Sequence, residues 1–150
     1  MIALLLRKSL KLFYRVEVKG LEHFHQSSQR TMIVANHTSF LDAALLSCFL
    51  PDEVSFSIHT RIMNRWFMSP FRSRLKLFVM DPTNPFSLKS LIKYLKQDNR
   101  VVIFPEGGCK GRRVYEKFQY GAFDISIRTG IPILPVFLHY EAQDTFEWRD

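Results

Sequence analysis

Two residues with complementary chemistry stand five positions apart in the stretch VANHTSFLD, at His37 and Asp42. A carboxylate that holds Nδ1 of an imidazole fixes the tautomer, so that Nε2 can act as a general base. The spacing alone is weak evidence, because chance places such a pair in roughly a quarter of chains with this many His and Asp residues. Ser39 and Asp42 also have the spacing of a capping box, in which the acid reaches back to the N-cap amide. A helix start therefore explains Asp42 without catalysis, but it does not explain His37.

A glycine-rich basic segment, FPEGGCKGRR, spans residues 104–113. Glycines let backbone amides approach a ligand closely, and the cations favour an anion such as phosphate. A solvated turn is the plainer interpretation of such a segment, although an acid among the bases suggests a specific contact. The candidate binding residues here are Glu106, Gly107, Gly108, Lys110, Arg112 and Arg113.

The type of chemistry is limited by what the chain lacks. It contains no Gly-x-Ser-x-Gly segment, so a covalent serine mechanism has no usual frame. A His–Asp pair without such a nucleophile would remove a proton from a hydroxyl of the substrate, or from water in a thioesterase. His23, His25 and His59 have no acid or thiol at ligand spacing, so we interpret them as surface residues and expect no metal.

Alternating strand and helix patterns must position these residues. TMIVAN (31–36), VSFSI (54–58), LKLFVM (75–80) and RVVIF (100–104) predict strands, and helices are predicted over 40–50, 84–99 and 118–129. IPILPVFL predicts a strand at an edge or a bend, because it contains two prolines. The fold class is therefore α/β, with a mostly parallel central sheet covered by helices. Ligands of such sheets bind at the carboxyl ends of the strands, where both candidate segments lie.

The net charge of +7 predicts an anionic partner. The chain has no zinc-finger spacing and no aromatic RNP-type run, so nucleic acid ranks last. Residues 1–18 predict a basic amphipathic helix that either associates with an anionic membrane or packs on the domain formed by residues 19–150. Its cations fall on one arc, at Arg7, Lys8, Lys11 and Arg15.

Three strings in order, NHTSFLD, FPEGG and GIPILPV, resemble the sequence blocks of the PlsC-like glycerolipid acyltransferase family, over residues 30 to 138. FVMDPTNP and RVVIFPEG further resemble the acyltransferase part of the bifunctional 2-acylglycerophosphoethanolamine acyltransferase/acyl-acyl carrier protein (ACP) synthetases. The resemblance implies a glycerol-3-phosphate acyltransferase-like fold, with His37 as general base and Asp42 as its orienting acid. It also implies that Glu106 and Gly107 hold the glycerol-phosphate part of the acceptor.

The same resemblance implies that Pro132 and Pro135 shape the site near the acyl chain. Two departures concern the acceptor: Met80-Asp81 and Gly108-Cys109 stand where phosphatidate-forming members usually carry arginine. The loss of two cations argues against a bare phosphomonoester, because each charge-assisted hydrogen bond is worth about 1.5–3 kcal/mol. Arg112 and Arg113 can compensate, which leaves the headgroup open.

The resemblance predicts transfer of an acyl group from acyl-ACP or acyl-CoA to the free hydroxyl of a lysophospholipid, with lysophosphatidylethanolamine favoured. No cofactor is expected besides this thioester co-substrate. The alternatives are a 1-acylglycerol-3-phosphate acyltransferase, a thioesterase and a non-catalytic lipid-binding module. The module gains weight because the chain ends soon after LPVFLHY, whereas the domain of the resembled family normally continues for several dozen residues. We expect EAQDTFEWRD to be a truncation point or a domain boundary before a synthetase part.

The partners implied are membrane lipids at the cytoplasmic face of the inner membrane, and an acyl carrier protein or CoA thioester. A fused or associated acyl-ACP synthetase is a further expectation. An acidic carrier protein would dock on the exposed lysines of the helix over 84–99, unless these are only a solvated face. Those lysines are Lys89, Lys93 and Lys96.

Overall fold

The computed structural model describes residues 2–13, 15–37, 39, 42–50, 54–73, 75–81, 83–106 and 121–140. Within these ranges, one sheet contains the strands β1 (Met32–Ala35), β2 (Val54–His59), β3 (Leu77–Met80), β4 (Arg100–Ile103) and β5 (Ile133–Val136). The strand order is β3-β2-β4-β1-β5, and each neighbouring pair is parallel. The predicted parallel α/β sheet is confirmed, and its proline-containing strand β5 lies at an edge.

Helices connect the strands. They are α1 (Ile2–Phe13), α2 (Leu21–Gln26), α3 (Asp42–Phe49), α4 (Thr60–Met63), α5 (Ser69–Arg72), α6 (Pro85–Leu95) and α7 (Gly121–Thr129), with a 3-10 turn at Trp66–Met68. The ends of α6 and α7 follow the sequence signals. Asn84 caps α6, since its Oδ1 accepts a hydrogen bond from the Phe86 amide at 2.9 Å. Gly130 stops α7 with a φ of 68°.

Two apolar clusters cover the two faces of the sheet. On one face, Ile33 and Ala35 pack with Phe24 of α2 and Leu46 of α3. On the other face, Met32 packs in a cluster that is completed by Leu91, Leu95, Val101, Ile125 and Ile131. Successive residues of a strand point to opposite faces, so a continuous apolar run such as MIVA fits a strand that is buried on both sides.

The N-terminal helix is shorter than predicted. It ends at Phe13, and Arg15 has a φ of 48°, a left-handed backbone conformation that ends a right-handed helix. Arg15 is therefore not on the basic arc. Arg7 lies over the ring of Phe49 in α3, 5.4 Å from its centroid, so this cation packs on the domain. Lys8 and Lys11 are exposed, and association of this helix with a membrane stays a prediction.

A helix needs about 20 predominantly apolar residues to cross a bilayer. In the part of the chain that the structure describes, none is both long and apolar enough to cross a membrane.

Candidate active site

His37 and Asp42 meet at the carboxyl end of β1. His37 lies two residues after Ala35, and Asp42 is the first residue of α3. The His37 Nδ1 atom is 2.9 Å from Asp42 Oδ2. The Asp42 side chain is fully buried, whereas that of His37 is 16% exposed. The junction between β1 and α3 thus buries the carboxylate of Asp42 and leaves part of the His37 imidazole at the surface.

Asp42 also begins its helix. The Ser39 amide donates to Asp42 Oδ2 at 2.8 Å, which is the backbone contact of a capping box. A carboxylate oxygen can accept two hydrogen bonds, so one atom serves both the helix start and the imidazole. The two interpretations of Asp42 from the sequence are therefore compatible.

The second oxygen of Asp42 accepts a hydrogen bond from the hydroxyl of Tyr140. Asn36 holds the segment that leads to Tyr140 beside the end of β1. Its side chain donates to the Leu138 carbonyl at 2.9 Å and accepts from the Leu138 amide at 2.7 Å. These contacts extend the pairing of β1 and β5 beyond the last strand residues. No sequence signal pointed to Tyr140, because 98 positions separate it from Asp42.

The end of β4 holds His37 from another side. The Phe104 ring stacks on the imidazole, with 4.1 Å between centroids and 22° between planes. Glu106 is buried, and its Oε1 accepts a hydrogen bond from the His37 amide at 3.1 Å. Because β4 and β1 are adjacent and parallel, FPE and NH leave the sheet side by side. The contact of Glu106 is thus to the backbone of His37, and its predicted contact with an acceptor stays a prediction.

The other predicted residues have different positions. Gly107, Gly108, Lys110, Arg112 and Arg113 lie outside the described residues. Pro135 pairs with Val34, near the carboxyl end of β1.

Pro132 lies at the other end of the sheet. Its carbonyl accepts a hydrogen bond from the amide of Met32, the first residue of β1. The structure therefore does not bring Pro132 together with His37, and the acyl-pocket role of both prolines stays a prediction.

Cys48 and Asp81 are the described residues whose side chains have a shifted pKa, and they give no metal site with His37 or Asp42. Among the described residues, no group of three His, Cys, Asp or Glu side chains could hold a metal ion. Cys48 is half-buried and burial raises the pKa of its thiol, so the nucleophilic thiolate is disfavoured at neutral pH. Asp81 accepts hydrogen bonds from the hydroxyl and the amide of Thr83, which lower the pKa of its carboxyl.

The arrangement fixes one orientation of the imidazole. Asp42 holds the Nδ1 edge, Phe104 covers a ring face and Glu106 holds the backbone. Nε2, across the ring from Nδ1, points away from the buried carboxylate. A neutral imidazole held in this way can take a proton at Nε2.

The fold and the site together define an α/β domain with a His–Asp pair, whose carboxylate is buried, at the carboxyl edge of a parallel sheet. Residues 15–139 match the family model described as Acyltransferase, and the chain belongs to this family. The family that the sequence blocks resembled is therefore confirmed.

Characterised relatives support the same assignment. The chain is 34% identical over 132 residues to the chloroplastic 1-acyl-sn-glycerol-3-phosphate acyltransferase BAT2 of Brassica napus. This match covers 84% of the present chain and 38% of BAT2. The chain is also 30% identical over 141 residues to lysophosphatidylcholine acyltransferase 2B of Rattus norvegicus, covering 90% of this chain and 26% of the relative. The chain thus spans less than half the length of these relatives.

A solved structure shows the same fold. The 1-acyl-sn-glycerophosphate acyltransferase PlsC of Thermotoga maritima superposes with a TM-score of 0.55 at 24% sequence identity. The match covers 70% of this chain and 42% of that chain.

Proposed function

We propose that this chain transfers a fatty acyl group from an acyl thioester to the free hydroxyl of a lysophospholipid. The observation that carries the proposal is the 2.9 Å contact between His37 Nδ1 and a fully buried Asp42 carboxylate. Membership of the acyltransferase family supports the type of reaction. The names of the relatives support the substrate class, since they act on acylglycerol phosphate or lysophosphatidylcholine.

In the proposed reaction, His37 Nε2 takes the proton of the acceptor hydroxyl as the oxygen attacks the thioester carbonyl. Asp42 orients the ring and stabilises the imidazolium that forms. Backbone amides near the start of α3 would stabilise the oxyanion. When the tetrahedral intermediate collapses, the carbon–sulfur bond breaks and the imidazolium returns its proton to the departing thiolate. The products are a diacyl phospholipid and a thiol.

The finer assignments belong to the same proposal. The favoured acceptor is lysophosphatidylethanolamine, because Met80-Asp81 and Gly108-Cys109 replace cations that a phosphomonoester would favour. The donor is acyl-ACP or acyl-CoA, with no further cofactor. The proposed location is the cytoplasmic face of the inner membrane, and the proposed partner is a fused or associated acyl-ACP synthetase.

A second candidate is 1-acylglycerol-3-phosphate acyltransferase activity. The name of BAT2 supports it. The two candidates share the residues of the pair and differ in the acceptor headgroup.

One assay tests the reaction and ranks the acceptors. Purified protein is given labelled acyl-ACP or acyl-CoA with a panel of lysophospholipids and lysophosphatidic acid, and the labelled lipids are separated. We expect labelled diacyl phospholipid, with the highest rate on lysophosphatidylethanolamine. Labelled free fatty acid in its place would indicate a thioesterase, and bound lysolipid without labelled product would indicate a binding module.

The base is tested by His37→Ala. We expect its acylation rate to fall by about 10²-fold or more, because the proton acceptor is lost. His25→Ala, a change at an exposed histidine of α2, is the matched control and should keep the wild-type rate. Near-normal turnover of His37→Ala would contradict the assignment of the base.

A further inference from the structure

An exposed apolar and basic surface follows β2. After His59 the chain forms α4, the 3-10 turn and α5, and the tryptophan of this segment, Trp66, is 88% exposed. Ile62 is also exposed, and so are the cations Arg61 and Arg65, which precede Ile62 and Trp66 in the sequence. We call Arg61, Ile62, Arg65 and Trp66 the Trp66 face. Tryptophan is enriched at protein and membrane interfaces, because its ring is apolar and its N–H can still be hydrogen-bonded.

The segment that presents the Trp66 face is tied down by one buried side chain and two hydrogen bonds. Met68, two residues after Trp66, is 5% exposed and anchors the turn in the domain. His59 Nδ1 accepts a hydrogen bond from the Arg61 amide at 3.1 Å, which caps α4. The Arg72 guanidinium donates to the carbonyl of Met63, which ties α5 to α4. The exposure of Trp66 therefore belongs to an ordered segment, so little conformational entropy would be lost when the face binds.

The chemistry of the Trp66 face fits an anionic lipid surface. The sequence between Val54 and Met80 contains arginines and a lysine but no acidic residue, so the formal charge of this segment is positive. Arginine binds lipid phosphates, and tryptophan and isoleucine insert at the boundary between headgroups and acyl chains. An acidic protein partner would complement the arginines, but it would not by itself account for the exposed indole and Ile62.

The position of the Trp66 face relates it to His37. All five strands are parallel, so α4 leaves the same edge of the sheet as the segments that carry His37 and Glu106. β4 lies between β2 and β1, so the ends of β2 and β1 are separated by about 10 Å across the sheet. A bilayer in contact with the start of the crossover from β2 to β3, which runs from His59 to Leu77, would lie near the edge of the sheet where an acceptor must reach His37.

We propose that the Trp66 face docks this domain on an anionic membrane, with the Trp66 indole at the lipid interface. This surface is distinct from α1, whose Arg7 packs on Phe49. The inference concerns membrane contact and does not require turnover. Its test therefore uses no acyl donor, so its outcome is separate from that of the proposed reaction.

The first measurement reports on Trp66 itself. Trp148→Phe leaves Trp66 as the single tryptophan. Its fluorescence is recorded with phosphatidylcholine vesicles that do or do not contain phosphatidylglycerol, and with brominated lipids as quenchers. We expect a blue shift and quenching with the anionic vesicles only, because the indole leaves water for the interface. An emission that vesicles leave unchanged would overturn the proposal, even if α1 bound the protein to them.

The second measurement compares matched variants by vesicle flotation. Arg61→Gln with Trp66→Ser removes one cation and one exposed apolar side chain from the Trp66 face. Lys96→Gln with Ile127→Ser makes the same change at the amino edge of the sheet, where α6 and α7 end and both residues are exposed. We expect about a tenfold loss of partitioning for the first pair and no loss for the second. Circular dichroism checks that both variants fold.

Equal partitioning of the two paired variants would overturn the proposal. A Trp66 emission shift with an acidic carrier protein, and none with anionic vesicles, would also overturn it and assign the face to a protein partner.

Discussion

The two oxygens of the Asp42 carboxylate have different hydrogen-bond partners. Oδ2 contacts His37 Nδ1 and the Ser39 amide, and Oδ1 accepts from the Tyr140 hydroxyl. A fully buried carboxylate is stable only when its oxygens are satisfied in this way. Tyr140 is therefore proposed as a positioning residue, which keeps the Asp42 carboxylate turned toward His37.

Tyr140→Phe tests this role of the hydroxyl. The change keeps the ring and removes the donor to Asp42, so the carboxylate is less well held. We expect about a tenfold fall in kcat with little change in the acceptor KM, measured in the acyl-transfer assay.

Tyr94→Phe is the matched control, because the Tyr94 hydroxyl also makes a part-buried hydrogen bond. It lies 2.8 Å from Ser55 Oγ and joins α6 to β2, away from the His–Asp pair. It should lower stability without lowering kcat. Full turnover by Tyr140→Phe, or an equal loss in Tyr94→Phe, would show that the hydroxyl has no specific role.

At the scale of elements, Arg100 joins the start of β4 to the end of α2. It is 5% exposed, and its guanidinium donates to the carbonyls of Phe24, Ser27 and Ser28 at 2.8–3.3 Å. It also stacks 4.3 Å from the centroid of the Phe24 ring. A cation at the carboxyl end of a helix stabilises the orphan carbonyls and the helix dipole.

Arg100→Met should lower the free energy of unfolding by about 3 kcal/mol, because buried carbonyls lose a charged donor. Arg128→Met is the control at an exposed position, where the 2.7 Å pair with Asp124 lies within α7. Its loss should be about 0.5 kcal/mol, as for other exposed pairs. Urea unfolding measures both free energies. Similar losses of unfolding free energy in the two variants would contradict the role of Arg100 in holding the end of α2 against β4.

At the scale of the whole molecule, the net charge of +7 is spread over several surfaces. Lys89, Lys93 and Lys96 are exposed on and just after α6. If they dock an acidic acyl carrier protein, turnover with acyl-ACP depends on salt, because ions screen exposed charges.

Lys93→Gln with Lys96→Gln should raise the KM for acyl-ACP about fivefold at low salt. Lys8→Gln with Lys11→Gln removes the same charge from α1 and should leave that KM unchanged. Donor kinetics at low and high salt measure both. An acyl-ACP KM that neither salt nor the α6 variant alters would assign these lysines to a solvated face.

Much of the fold could be predicted from local patterns. Each predicted strand and the helices α3, α6 and α7 have counterparts in the structure, because apolar periodicity, Asn84, Gly130 and the prolines act within a few residues. The contact between His37 and Asp42 is local for the same reason. The predicted length of α1 was wrong, because the helix ends at Phe13 and the backbone of Arg15 is not helical.

Thus the sequence by itself determined the strands β1 to β5 and the helices α3, α6 and α7, and that His37 and Asp42 lie at one strand end. Only the tertiary structure decided that β4 and β5 flank β1, and this order brings Phe104, Glu106 and Tyr140 to the pair. The physical reason is that periodicity records which faces of an element are apolar, but not which element covers them. Contacts across 69 or 98 positions depend on the order of the strands.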